Sequence, residues 1–158
     1  MAWSIPANAV SGTQIPAATT NAILADLTII GQAAQSYTPT TTGITLGNGT
    51  ISARVNQVNK WVDFQIIFTF GSTSAITAVP TFTLPTVGQG AGWTTTDCSA
   101  NHAGARYPIA AIATTSSVLT IQTWPATAGN AWINLSSTVP FTWATNDVLI
   151  INGRYEAA

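Results

Sequence analysis

The chain has 158 residues, of which four are basic and five acidic, so charged side chains make up 6% and the formal net charge is −1. A globular domain carries about 25% charged residues. So few charges leave no basic footprint for nucleic acid or anionic lipid, and they starve the chain of acid–base groups.

Hydrophobic residues reach 46%, enough for a sizeable core and too many for a disordered chain. The length fits one domain with a short appendage. Its polarity comes from Thr, Ser, Asn, Gln and Gly, a surface suited to a protein fixed in an assembly. No apolar run approaches the ~20 residues of a membrane-spanning helix, so no membrane insertion is expected. Met1-Ala2-Trp3-Ser4-Ile5-Pro6 lacks the basic and apolar regions of a signal peptide, which predicts synthesis in the cytoplasm without export by that route.

Residues 1–17 form a Pro-punctuated arm, in which Trp3 is expected to dock into a neighbouring protein. Ile23, Leu27, Ile30 and Ala34 then recur at helical spacing, with Leu24 widening the stripe. Thr19, Thr20 or Asn21 is the expected cap. A short helix with one apolar face is marginal alone in water. Trp3, Ile23, Leu24, Leu27 and Ile30 are therefore candidate anchor or oligomer contacts, in an attachment segment spanning residues 1–36.

From Tyr37 the period changes to two. Ile51, Ala53 and Val55 alternate with polar residues. After a Gln57-Val58-Asn59 link, Val62, Phe64, Ile66, Phe68 and Phe70 form one face of a long strand. Thr81 to Leu84, between Pro80 and Pro85, reads as a short edge strand. Residues 86–104 are rich in Gly, Thr and Asn and read as a long surface loop. Ile109 to Ala113, Leu119 to Thr123, Ala131 to Leu135 and Val148 to Tyr155 are further strands. This spacing predicts an all-β fold, an antiparallel β-sandwich or jelly-roll-like domain over 37–158, preceded by the arm and helix.

Chemistry-bearing residues are sparse. Cys98 is the one cysteine, with His102 and Asp97 near it in sequence. A catalytic dyad needs a thiolate beside an imidazole, and it is seldom built from sequence neighbours. A buried thiol and a surface histidine are the plainer expectation. One Cys and one His cannot close a zinc site within a chain, so neither metal nor cofactor is expected. The acids Asp26, Asp63, Asp97, Asp147 and Glu156 are too dispersed to suggest a glycosidase pair. Gly88-Gln89-Gly90-Ala91-Gly92 lacks the Lys of a phosphate loop. No enzyme is expected.

Six tryptophans are many for this length. Large amphipathic rings serve cores, partner surfaces and sugar platforms. Trp93, in the polar loop, and Trp124, at a strand end, are the candidate ligand platform. Trp61, Trp132 and Trp143 are expected in core or subunit contacts.

Several segments carry a resemblance. Tyr37-Thr38-Pro39-Thr40, Thr45-Leu46-Gly47-Asn48-Gly49-Thr50 and Asn59-Lys60 opening a long strand resemble small virion proteins of tailed phages of actinobacteria. Phe82-Thr83-Leu84-Pro85, Asn146-Asp147-Val148-Leu149 and Gly153-Arg154-Tyr155-Glu156 fit the same pattern. Asn59 stands where that family usually has Gly, and Asn also tolerates a left-handed turn. Ser11-Gly12-Thr13-Gln14-Ile15-Pro16-Ala17-Ala18 is similar to attachment ends of tail-associated proteins. The resemblance implies a minor tail, fibre or head-decoration protein. It would be a homotrimer on the particle surface, with other virion proteins as partners and a host-surface glycan as a possible ligand.

Overall fold

The computed structural model describes residues 16–22, 33–124 and 131–158. The chain divides into two compact units, Met1–Ala33 and Ala34–Ala158.

In the first unit a helix runs over residues 17–22. It starts earlier than the expected Thr19–Asn21 cap. Pro16 precedes it, and the Pro16 carbonyl accepts hydrogen bonds from the Thr19 and Thr20 N–H groups at 2.9 and 3.1 Å. A proline suits this position because its missing N–H would have no intrahelical partner. Thr19, Thr20 and Asn21 therefore lie inside the helix. Trp3, Ile23, Leu24, Leu27 and Ile30 lie outside the described residues.

The second unit is all-β. Its strands are β1 (Gln35–Ser36), β2 (Thr41–Thr45), β3 (Thr50–Val58), β4 (Trp61–Thr69), β5 (Ala75–Thr83), β6 (Thr94–His102), β7 (Ala105–Ala113), β8 (Val118–Thr123), β9 (Ile133–Asn134) and β10 (Val148–Glu156). They form one antiparallel sheet in the order β1-β3-β4-β10-β6-β7-β8-β5-β2, with β9 also on β8. The sheet curls into a half-barrel of the sandwich or jelly-roll kind.

The core follows the alternation in β4. Val62, Phe64, Ile66, Phe68 and Phe70 are all buried, with Ile66 and Phe68 at 0% exposure. Leu149 and Ile151 of β10 pair with Phe68 and Ile66 and face the same interior. Ile109, Ala111, Leu119, Ile121, Phe82 and Leu135 complete it from the other half of the sheet.

The two ends of the sheet are neighbours in the chain. β1 lies at one end and β2 at the other, with only Tyr37 to Thr40 between them. The Tyr37 N–H donates to the Ala53 carbonyl on β3, at 3.2 Å. Thr40 exchanges bonds with Thr83 on β5: its N–H donates to Thr83 Oγ1 at 2.9 Å, and its carbonyl accepts from the Thr83 N–H at 3.0 Å. From Tyr37 to Thr40 the backbone reaches about 11 Å at most, so the β1 and β2 ends of the sheet come within roughly two strand spacings of each other there. This strap holds the curl.

A second closure joins the β2–β3 turn to the β4–β5 turn. Asn48 Oδ1 accepts from the Thr73 N–H and hydroxyl, both at 2.9 Å, and Asn48 Nδ2 donates to Ser72 Oγ at 3.0 Å. Gly47 and Gly71 allow the contact. A Cβ on Gly47 would stand 2.5 Å from the Thr73 carbonyl oxygen, and one on Gly71 would stand 2.6 Å from the Gly49 nitrogen.

Several element expectations change. β3 runs through Val58, so the hairpin link is Asn59-Lys60, with Asn59 at φ 55°. β5 begins at Ala75 and carries Pro80 inside it, where pairing with β2 breaks: Thr42 faces Thr81, but Ile44 faces Ile76. The proline needs no ladder bond at that irregularity. β1 takes in Gln35 and Ser36, two residues before Tyr37. Residues 86–104 are not one loop, because β6 fills the second half of that stretch and lies between β10 and β7. Its polar composition hides it, yet Cys98, Ser99 and Ala100 are all buried. Small side chains suit a position walled by Leu149 and Ile150 on one side and Tyr107 to Ile109 on the other.

β6 and β7 join through Ala103-Gly104, with φ 48° and 81°, both left-handed. Such a two-residue turn matches the strand twist, but it suits Asn-Gly better than Ala-Gly. Ala103→Asn is therefore expected to raise stability by about 0.5–1 kcal/mol. Asn48→Ala, which severs the two turns, is expected to lower it by about 1–2 kcal/mol. The midpoint of urea unfolding reads both.

Candidate functional site

One surface feature of the described residues starts from how β8 shares one edge between two strands. Thr81 to Thr83 of β5 pair with Val118 to Thr120, and Ile133-Asn134 of β9 pair with Gln122-Thr123. β5 departs at Pro80 and β9 takes its place. Between them opens a groove of about 290 Å³, lined by Ile76 to Val79 and Asn134 to Ser137. Gly43 lets the departing segment sit close: at φ +69° it faces the Val79 carbonyl, 2.3 Å from where a Cβ would stand.

Thr123 and Ile121 are fully buried, so Gln122 and Trp124 project from the outer face of β8. Register places Asn134 opposite Gln122, and Gln122 Nε2 donates to Asn134 Oδ1 at 3.0 Å. One rung further, Trp124 meets Trp132. Their ring centroids are 5.5 Å apart at 86°, and the residues are 37% and 36% exposed. The face thus carries an aromatic corner, an amide pair and a groove in succession. None of the residues forming them is charged.

Trp93 and Trp124 do not share a platform. Trp93 precedes β6 beside Ala113, whereas Trp124 follows β8 beyond the Ile109–Thr123 pair. They stand at opposite ends of β7, roughly 15 Å apart along the strand. Trp93 stacks on Tyr155, with centroids 5.2 Å apart and planes at 9°. Tyr155 in turn binds Thr86 through its hydroxyl, so Trp93 roofs a core residue.

Trp61 and Trp132, expected in core or subunit contacts, lie outside the core. Trp61 is 52% exposed, with the Arg154 guanidinium 5.7 Å from its ring centroid. Arg154 also forms a forked pair with Asp63, at 3.0 and 3.2 Å. Being solvent-exposed, this ion pair adds little stability. Trp143 does join the core wall, stacked on Phe70 at 4.5 Å, and its Nε1 donates to the Ser136 carbonyl at 3.0 Å.

Cys98 and His102 share a β6 face but lie four residues apart, about 13 Å. His102 instead meets Asp147, which is distant in sequence: Nδ1 lies 3.0 Å from both carboxylate oxygens. Asp147 also accepts from the Ala144 N–H at 2.7 Å, and Phe141 stacks on the imidazole at 4.4 Å. The pair clamps the end of β6 to the start of β10. Asp97 takes no part; its carbonyl accepts from Asn152 Nδ2 at 2.9 Å. Among the described residues, no three His, Cys, Asp or Glu side chains gather as a metal site.

Compared with protein-family models, curated proteins and solved structures, the chain matches none. The fold and site define a charge-poor, antiparallel β module with an uncharged aromatic face.

Two buried groups give this module a pH response. Burial pushes the Cys98 thiol up; its Sγ lies 3.5 Å from the Asn152 carbonyl. Burial, then the neighbouring Tyr155, pushes the Tyr37 phenol up. An acid raised by folding stabilises the fold below its unfolded pKa, and that contribution is lost as pH rises toward the folded value. Stability is thus expected to fall from about pH 8.5 as the unfolded thiol ionises, and more steeply from about pH 10 as the unfolded phenol does. Urea unfolding across this range reads the effect. Cys98→Ala removes the first phase. Tyr37→Phe removes the second without loss at neutral pH, because the Tyr37 hydroxyl is buried with no hydrogen-bond partner among the described residues.

Proposed function

We propose that this chain is a non-enzymatic structural protein of a tailed-phage particle. The Met1–Ala33 unit anchors it, and the Ala34–Ala158 unit forms a homotrimeric module at the particle surface, mounted on the tail rather than the capsid. One observation carries the reading: most of the segments that resemble phage virion proteins fall on turns, straps and strands that close the fold. Tyr37 to Thr40 is the strap, Leu46 to Gly49 the locked turn, Asn59-Lys60 the hairpin, and Asn146 to Glu156 the strand between β4 and β6. The likeness therefore rests on residues that determine a fold.

The surface supports the same reading. With so few charges, copies pack together without strong mutual repulsion or the desolvation of buried ions. A β module with exposed Trp61, Trp124 and Trp132 also has aromatic area to offer a partner.

Immunogold electron microscopy of purified particles, with antibody against residues 34–158, tests the proposal. Label at the tail end is expected; label over the head makes the chain a decoration protein, and unlabelled particles overturn the virion reading. Deleting residues 1–33 is expected to abolish particle association.

A further inference from the structure

From the outer face of β8 and β9 we infer a binding site for a neutral oligosaccharide. The site consists of the Trp124–Trp132 corner, the Gln122–Asn134 amide pair and the adjoining groove. The inference rests on the virion reading only for the source of the sugar, a glycan of the host surface; the site itself rests on geometry.

Three observations select this ligand class. First, two half-exposed indoles meet at 86°, so a ring laid flat on one meets the edge or face of the other. A pyranose presents a C–H face that packs on indole while its hydroxyls point outward. Second, on the side toward the groove stand groups that exchange hydrogen bonds with hydroxyls. Gln122 and Asn134 use one donor and one acceptor on each other, and an amide carries two donors and two acceptor sites. Thr77, Ser136 and Ser137 line the groove above a floor of buried Ile76 and Leu135. Its volume of about 290 Å³ is at the lower end for small-molecule sites, fitting a sugar unit or two beyond the corner.

Third, among the described residues no charged side chain contributes to corner or groove. An acidic glycan or a phosphorylated ligand would meet no cation. Nucleic-acid bases also stack on aromatics, but single-strand binding needs a basic groove along the backbone. An apolar peptide would leave the groove's hydroxyls and amides without partners. A neutral sugar uses both the rings and the polar wall.

The test uses the full chain and a panel of short oligosaccharides of glucose, galactose, mannose, rhamnose and N-acetylglucosamine, with oligogalacturonate as the acidic comparison. Tryptophan fluorescence and calorimetry read binding. At least one neutral member is expected to bind and oligogalacturonate is not. Trp124→Ala and Trp132→Ala are each expected to weaken that binding tenfold or more, Asn134→Ala severalfold, and Trp61→Ala not at all. Trp124→Phe, which keeps a ring, is expected to retain part of the affinity, and an unchanged urea midpoint shows that each variant is folded.

Failure of every neutral sugar to bind, preference for the acidic comparison, or binding indifferent to Trp124 and Trp132 would overturn the inference. The outcome is separable from particle location. Sugar binding by a protein absent from particles leaves the site and removes the virion reading. A particle-borne protein that binds no sugar does the reverse.

Discussion

Curling a sheet until its edges nearly meet is the constraint on which the β unit depends. An open sheet of this size would expose two long edges, each a row of unpaired backbone groups that invites another chain. Here the edges belong to consecutive stretches of sequence, and the strap from Tyr37 to Thr40 ties β3 to β5. Hydrophobic burial supplies the drive, through Phe64, Phe68, Phe70 and Phe82 on the concave side. The strap and the locked Asn48 turn determine which curled arrangement that burial selects.

The surface face comes from how β5 and β9 share the edge of β8. β5 follows β2 and β8 over only part of its length. β5 keeps β8 for three residues, leaves at Pro80, and passes Gly43 on its way to a new register with β2. β9 fills the vacated edge and brings Asn134 and Trp132 opposite Gln122 and Trp124. The groove is the space left by that exchange. Backbone register between β8 and β9 thus sets the spacing of the amide pair and the indole corner.

Sequence reading recovered the fold class and the strands with strong local signals. β4 stands out because every second residue is large and apolar, which is what a half-buried strand requires, and β10 because it opens on the apolar run Val148 to Ile151. β6 escaped because its buried positions hold Cys98, Ser99 and Ala100, small residues that register demands but no hydrophobic pattern reveals. β5 was cut short because Pro80 argues against a strand, and only the bulge in its pairing makes it tolerable. The site was half legible. Trp124 stood out as an aromatic at a strand end. Its partner Trp132 and the Gln122–Asn134 pair follow from β8–β9 register, which no local spacing encodes. Asp147 was likewise invisible as the partner of His102, and the nearer Asp97 was a misleading neighbour.

β10 has one more consequence. It occupies the middle of the sheet, between β4 and β6, yet the ribosome makes it after every other strand. Tyr155 pairs with Val62 and Leu149 with Ala100, long-range contacts that slow a fold's nucleation. Until residues 148–156 arrive, the sheet exists as two halves, β1-β3-β4 and β6-β7-β8-β5-β2, each presenting a raw edge to the other. The translated chain therefore carries a built-in delay: its β unit closes only when β10 slots home. A copy truncated before that strand lacks the wedge joining the halves and is left open to proteolysis.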